Sequence, residues 1–326
     1  MGERARSIDH EGGLTEMRGS QTGLPGNAEG TVREPTMEPR VLAYDVAGEG
    51  DPLVLVPGGL TGWLSWIPHQ ERLSAHHRVI RVQPIHNELG SAGRPGEPGY
   101  TAEVERESLR LTLDELGVDR ADFAGWSAGG RALIEFALAH PQRVRSLTLV
   151  EPDAYWILEQ LGQRDPRADE ANEFFHRLAG KEVTEDDLAK VLEYAGLVDD
   201  APAAREDPYW DRALSHRMAL SWLSVELDAS TRSVGDLRTI GCPVLLVKGT
   251  ATQPWNRRMV DILGEHLPHA HVVELEGDHA AHIQSIDRFL EELEAHLHRT
   301  QSLLLPGVED HTHLHPPQGD TARSQG

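Results

Sequence analysis

The residues best suited to nucleophilic chemistry lie at positions 125–129, which read Gly-Trp-Ser-Ala-Gly. This Gly-x-Ser-x-Gly pattern is typical of a sharp turn between a strand and a helix, from which the hydroxyl of Ser127 would project into a cleft. Glycines flank such a turn because a Cβ there would clash. The segment 121–125 predicts a strand and 128–140 a helix, so the motif has the context it needs. Free amides and the positive end of the helix dipole would favour a developing oxyanion.

A histidine suited to act as general base follows the last apolar segment of the chain. His279 comes after the predicted strand 271–275, in the sequence Glu-Gly-Asp-His. From a loop at that edge of a sheet it would reach Ser127. His282 lies three residues further on and is the second candidate.

Alternating elements would position these residues. Apolar segments predict strands at 41–46, 52–56, 78–82, 121–125, 144–150, 243–247 and 271–275, and amphipathic spacing predicts helices at 101–117, 128–140 and 285–298. Strands that alternate with helices predict an α/β fold with a doubly wound, mainly parallel sheet. The core is expected at 38–151 and 236–299, interrupted by a helical cap at 152–235. Residues 1–37 are expected to be a disordered N-terminal extension and 300–326 a flexible C-terminal tail.

Over about residues 38–298 the chain resembles the α/β-hydrolase superfamily. The resemblance is carried by the segment 117–130 around the serine and by 139–144, Ala-His-Pro-Gln-Arg-Val. It implies that the loop after the strand 52–56 supplies part of an oxyanion hole, with backbone N–H groups from Gly59 and Ala128. Pro57 occupies the place of the usual histidine in that loop.

The acid of the implied catalytic triad departs from the usual family pattern. Most members carry it in a Gly-x-x-Asp arrangement after the strand at 243–247, where this chain has Thr252. Some members carry it one strand earlier, where this chain offers Glu151 and Asp153. Such a carboxylate would accept the Nδ1–H of His279 and stabilise the imidazolium. Glu151 is the preferred acid and Asp153 the backup. Pro152 leaves open that Glu151 caps the next helix, and the triad could also lack an acid.

Two loops and one spacing also resemble zearalenone-type lactonases. These features are the Val-Pro-Gly-Gly-Leu segment at 56–60, the Gly-Thr-Ala-Thr-Gln-Pro segment at 249–254, and the separation of Glu151 from Ser127. The resemblance is local, and it implies lactone hydrolysis as one activity of the chain.

Large side chains cluster in the segments expected to line the pocket. They predict an apolar, aromatic or macrocyclic acyl substrate. The residues expected at the pocket are Trp126, Leu60, Trp63, Tyr155, Trp156 and Trp222.

Composition excludes several classes of function. The 326 residues carry a net charge of −22, which disfavours binding to nucleic acid and to anionic membranes. The single cysteine, Cys242, excludes an intramolecular disulfide and a multi-cysteine metal site. The sequence has no apolar run of about 18 residues and no apolar N-terminal signal segment, so a cytoplasmic location is expected.

The sequence therefore predicts a serine hydrolase that uses no cofactor and no metal and cleaves an apolar ester or lactone. Two alternatives stay open: a C–C bond hydrolase or cyclase on the same scaffold, and a non-catalytic protein that binds a small molecule. The sequence also leaves open whether the chain forms a homodimer.

Overall fold

A computed structural model describes residues 37–227 and 233–304 of the chain. The predicted N-terminal extension, apart from Met37, and the predicted tail beyond residue 304 lie outside the described residues. Seven strands form one sheet: β1 (Ala43–Ala47), β2 (Pro52–Val56), β3 (Arg78–Gln83), β4 (Ala121–Trp126), β5 (Val144–Val150), β6 (Val244–Gly249) and β7 (Ala270–Leu275). Their order in the sheet is β1-β3-β2-β4-β5-β6-β7. β1 pairs antiparallel to β3 and the other pairs are parallel, which confirms the predicted α/β class.

The sheet is buried on both faces, as a parallel sheet requires. Alternate residues of a strand point to opposite faces. Leu53 and Leu55 of β2 accordingly join one apolar cluster, and Val54 and Val56 join the other. The uninterrupted apolar sequence of β2 is therefore the expected signature of a strand covered on both sides.

Helices connect the strands and cover the sheet. They are α1 (Ile67–Leu73), α2 (Ile85–Ser91), α3 (Ala102–Glu115), α4 (Ala128–Ala139), α5 (Tyr155–Gln160), α6 (Pro166–Arg177), α7 (Glu185–Ala195), α8 (Trp210–His216), α9 (Ala219–Leu227), α10 (Pro254–His266), α11 (Ala281–Gln284) and α12 (Ile286–Leu304). No helix was predicted within residues 83–94, because the segment shows no helical periodicity, but α2 lies there. Within the described ranges, no helix combines the length and the apolar character needed to cross a bilayer.

The helices α5 to α9 lie between β5 and β6 in the chain, where a cap was predicted. Part of this segment packs into an apolar cluster of its own, formed by side chains such as Leu178, Val183 and Leu188. Helix α7 begins at a capping box, in which Thr184 and Asp187 satisfy each other's backbone amides. The domain boundaries at residues 152 and 235 stay a prediction.

The topology brings the predicted site residues to one edge. From β2 the chain moves outward to β3 and then crosses back to β4 on the other side of β2. Ligands of open α/β sheets bind outside the carboxyl ends of the strands where the order reverses in this way. Gly59 follows β2 and Ser127 follows β4, so both lie at that reversal.

Candidate active site

The turn at Ser127 has a backbone conformation that L-residues seldom adopt. Its φ is 52° and its ψ is −119°, between the end of β4 and the start of α4. The turn is closed tightly, because a Cβ at Gly125 would lie 2.8 Å from the backbone of Gly129. A Cβ at Gly129 would lie 2.4 Å from the carbonyl oxygen of Pro57, so α4 packs directly against the loop after β2. Any side chain at either glycine of the motif would therefore clash with neighbouring backbone.

His279 and Glu151 form a buried hydrogen-bonded pair. Nδ1 of His279 lies 2.7 Å from Oε2 of Glu151, and the residues are 7% and 2% exposed. With Nδ1–H donated to the carboxylate, Nε2 is left as the basic nitrogen. The indole Nε1–H of Trp126 donates to the carbonyl oxygen of His279 over 2.8 Å, which ties the histidine loop to the serine turn.

The carboxylate of Glu151 is also held by the loop after β6. Oε1 accepts a hydrogen bond from the amide of Gly249 and Oε2 accepts one from Oγ1 of Thr252, each over 2.7 Å. Asn256 in turn donates to Oγ1 of Thr252 over 3.3 Å. The contact between Thr252 and Glu151 was not predicted from the sequence. Asn256 was not predicted either.

The backbone of Glu151 is strained as well. Its φ is 39°, in the left-handed region, although the residue has a side chain. Such a conformation costs roughly 1–3 kcal/mol and is most common at functional sites. The amide of Glu151 donates to the carbonyl oxygen of Val247 over 3.0 Å, so β6 holds the strained residue in place.

The loop that carries Gly59 is fixed by buried side chains. The amide nitrogen of Asn87 lies 3.4 Å from the carbonyl oxygens of Gly58 and of Leu60, the residues on either side of Gly59. Leu223 of α9 covers the loop, because a Cβ built on Gly59 would meet its Cδ2 at 2.4 Å. Asn87 is completely buried, and the sequence offered no periodic signal that would have singled it out.

A pocket of about 80 Å³ lies over Ser127. Its lining contains nearly all the residues predicted for the catalytic centre, together with three of the six side chains expected at the substrate. The predicted site residues in the lining are Gly59, Leu60, Trp126, Ser127, Glu151, Asp153, Tyr155 and His279. Ala128 follows Ser127 at the start of α4, is buried, and does not line this pocket.

Three tryptophans do not line this pocket, which corrects the expectation for them. Trp222 is completely buried, and its Nε1–H donates to the carbonyl oxygen of Arg94 over 2.8 Å. Trp156 packs against the main apolar cluster. Trp63 lies with its ring centre 5.9 Å from the guanidinium of Arg81. Aromatic content marked the correct segments, but the direction of each ring depends on packing that the sequence does not display.

Asp153, the backup acid, has a different partner from Glu151. Its Oδ2 lies 3.8 Å from Nε of Arg131. Burial raises the pKa of the Asp153 carboxyl above its ordinary value, and the positive charge of Arg131 opposes that shift. Among the described contacts, His279 is therefore hydrogen-bonded to Glu151 and not to Asp153.

A model of the α/β hydrolase fold family matches residues 51–286, which is most of the chain. The chain belongs to the α/β-hydrolase fold family. The match covers the strands β2 to β7 and the loops that carry Ser127, Glu151 and His279. The family membership predicted from the sequence is confirmed, whereas the local resemblance to zearalenone-type lactonases is not.

Several α/β-hydrolases are similar in sequence over part of their length. A protein of Azorhizobium caulinodans, named as a candidate carbamate hydrolase, is 41% identical over 109 residues, which are 33% of this chain and 40% of that protein. The 2-hydroxy-6-oxo-2,4-heptadienoate hydrolase of Pseudomonas putida is 39% identical over 110 residues, 33% of this chain and 39% of that protein. The aligned stretches thus span about two fifths of these relatives.

Solved structures of other α/β-hydrolases match over most of their length. The enol-lactonase of Burkholderia xenovorans has a TM-score of 0.59 at 24% identity, over 78% of this chain and 96% of that one. At that identity the similarity shows the fold.

Two further features of this α/β-hydrolase lie away from the serine pocket. His282 is completely buried beside Trp66, Trp126 and Phe289 and does not line the pocket. A larger cavity of about 450 Å³ lies at the amino ends of β4, β5 and β6, where Arg120, Val144 and Pro243 line it. None of the predicted site residues lines that cavity.

Proposed function

We propose that this α/β-hydrolase is a cofactor-free serine hydrolase that cleaves a carboxylic ester or lactone of an apolar small molecule. The observation that carries the proposal is the buried hydrogen bond between Glu151 and His279 in the pocket that Ser127 lines. A buried carboxylate–imidazole pair beside a serine on a strained turn is the arrangement that activates a hydroxyl for acyl transfer.

The proposed reaction has two halves. Nε2 of His279 removes the proton of Ser127 as Oγ attacks the substrate carbonyl carbon, and the amides of Gly59 and Ala128 stabilise the oxyanion. The tetrahedral adduct collapses, the alcohol leaves with the proton from His279, and an acyl-enzyme remains. Water then attacks the acyl carbon with His279 as base, the bond to Oγ of Ser127 breaks, Oγ takes the proton back from His279, and the acid is released. Glu151 stabilises the imidazolium in both halves.

The size and character of the pocket support a small or compact apolar acyl group. Its volume is about 80 Å³, and its lining is dominated by aliphatic side chains such as Leu192, Leu220 and Met259. An apolar lining with few polar groups is typical of sites for small apolar molecules. The expectations of a small-molecule partner, of no affinity for nucleic acid or membranes, and of a cytoplasmic location stay predictions.

Fluorophosphonate labelling tests the proposal. The reagent should phosphonylate Ser127, which mass spectrometry of the tryptic peptide would identify, and labelling should disappear in Ser127→Ala. Ser91→Ala, at an exposed serine of α2, is the matched control and should label normally. The variants that the reagent labels should also hydrolyse p-nitrophenyl esters and aromatic lactones, whereas Ser127→Ala should not. A Ser127 that stays unlabelled and a wild type without turnover would contradict the proposal and favour a non-catalytic binding protein.

The second candidate is a C–C bond hydrolase, which the similarity to 2-hydroxy-6-oxo-2,4-heptadienoate hydrolase favours. That name gives a dienoate, and therefore a carboxylate, as the substrate of the relative. Among the described residues that line the serine pocket, none is a lysine or an arginine that would pair with a carboxylate. We therefore expect a higher kcat/KM for neutral esters than for this dienoate. The opposite order would favour the second candidate.

A further inference from the structure

Asp153 is an acidic side chain of the serine pocket to which the proposed mechanism gives no task. Its backbone amide donates to the carbonyl oxygen of Ser127 over 3.2 Å, which fixes Asp153 to the nucleophile turn. The side chain is 16% exposed and contributes to the pocket lining beside Glu151 and Tyr155. Asp153 is therefore placed to touch whatever occupies the pocket.

The two carboxyl oxygens of Asp153 differ. Oδ2 faces Arg131, whose Nε is 3.8 Å away. Oδ1 is buried and has no hydrogen-bond partner among the described residues. Buried polar atoms are nearly always hydrogen-bonded in folded proteins, because an unsatisfied one loses its interaction with water without replacement. Asp153 is a residue of the pocket lining, so a ligand group that pairs with Oδ1 would remove this cost.

The surroundings determine which ligand group fits. Charged or titratable groups face Asp153 from several elements: Arg131 of α4, His279 after β7, His176 of α6, Glu151 after β5 and Tyr155 of α5. Burial favours the protonated carboxyl, whereas Arg131 and the two histidines favour the carboxylate. A hydroxyl group both donates and accepts a hydrogen bond, so it pairs with Oδ1 in either state.

We propose that Asp153 is a specificity-determining residue that hydrogen-bonds a hydroxyl group of the substrate, so that hydroxylated apolar esters or lactones are preferred over their deoxy analogues. The inference rests on the proposed function, because the hydroxyl must lie on a molecule whose carbonyl reaches Ser127. It predicts selectivity against an analogue that leaves Oδ1 unpaired.

Matched substrates test the inference. They are p-nitrophenyl butanoate and pentanoate esters with a hydroxyl at successive acyl carbons, each compared with its deoxy and methoxy counterparts. At one position the wild type should prefer the hydroxyl over both by roughly tenfold to a hundredfold in kcat/KM, the range of one hydrogen bond to a charged or buried group. Asp153→Asn should shrink that ratio, and Asp153→Leu should abolish it.

The ratio of kcat/KM between the hydroxylated substrate and its deoxy or methoxy counterpart distinguishes recognition of the hydroxyl by Asp153 from general damage to the fold. Damage to the fold lowers kcat/KM for all three members of a set and leaves their ratio unchanged. Asp119→Asn, at an exposed aspartate before β4, is the matched control and should keep both the wild-type rate and the ratio. A wild type without hydroxyl preference at any position, or a preference that survives Asp153→Leu, would overturn the inference.

A binding experiment tests the inference separately from the proposed function. If no ester is turned over, binding of the hydroxylated and deoxy methyl esters to wild type and to Asp153→Leu is measured by saturation-transfer NMR. Hydroxyl-selective binding that Asp153→Leu abolishes would support the inference without catalysis. Equal binding of the two esters would refute it.

Discussion

The carboxylate of Glu151 receives hydrogen bonds from three residues on two loops. The amide of Gly249, the hydroxyl of Thr252 and Nδ1 of His279 all lie 2.7 Å from its oxygens. A carboxylate fixed in this way holds the imidazole in one tautomer and one orientation. Thr252, at the position where most family members were expected to carry the acid, thus supports an acid that comes from the neighbouring strand.

A substitution at Thr252 tests this supporting role. Thr252→Val removes the hydroxyl at nearly constant volume, leaves Oε2 of Glu151 with one donor fewer, and should lower kcat on p-nitrophenyl esters by about tenfold. Thr252→Ser keeps the hydroxyl and is the matched control, so it should remain within about twofold of the wild type. Equal rates for the two variants would show that the contact is not needed.

At the scale of single residues, the sequence predicted which residues belong to the candidate site better than it predicted their contacts. Ser127 and His279 were predicted because their types suit acyl transfer and because each follows a strand, whereas Glu151 was predicted from the resemblance to family members that carry the acid one strand earlier. The contacts of Asn87 and Thr252 could not be predicted, since both are made by side chains distant in the chain, over 27 and 101 positions. The positive φ of Glu151 carries no sequence signal either, because the residue is not a glycine.

At the scale of elements, the carboxyl ends of the strands decide where chemistry can occur. Loops after β2, β4, β5, β6 and β7 meet at one edge, and each supplies at least one residue of the proposed site. The strand positions could be predicted because buried parallel strands are continuous apolar runs. Helix α2 could not, because its seven residues, Ile85–Ser91, are too few to show a clear period.

Helix α9 limits the space at the loop that carries Gly59. In Gly59→Ala the new methyl group would meet Cδ2 of Leu223, so that side chain or the loop must shift, and kcat/KM should fall by up to roughly tenfold. Leu223→Ala removes that obstacle, and the double variant should recover most of the loss. A double-mutant cycle on ester hydrolysis measures this coupling. Additive effects of the two substitutions would contradict the close packing of α9 on this loop.

For the whole molecule, buried neutral histidines link stability to pH. Burial lowers the pKa of His69 to about 4, of His86 to about 3 and of His296 to about 4. The unfolded chain protonates these groups near the ordinary pKa of 6.5, so between pH 6.5 and about 4 it binds more protons than the folded chain. Stability therefore falls as the pH is lowered through this window.

Urea unfolding at several pH values measures this dependence. The free energy of unfolding should drop between pH 7 and pH 5 by on the order of 1–2 kcal/mol for each such histidine. His296→Gln removes one titrating group and should make the decline shallower, whereas His76→Gln, at an exposed histidine, should leave it unchanged. A free energy of unfolding that does not change over this range would contradict the account.

In the proposed mechanism Glu151 supplies the acid for His279 from the loop after β5. The most direct measurement is kcat/KM for p-nitrophenyl acetate in wild type, Glu151→Gln and Glu151→Gln/Thr252→Asp, with Glu276→Gln on the histidine loop as the exposed control. Glu151→Gln should lose on the order of 10⁴-fold, as for a triad acid. The double variant should regain part of that loss, because an aspartate at 252 lies beside the same imidazole. Glu151→Gln with wild-type activity would contradict the claim.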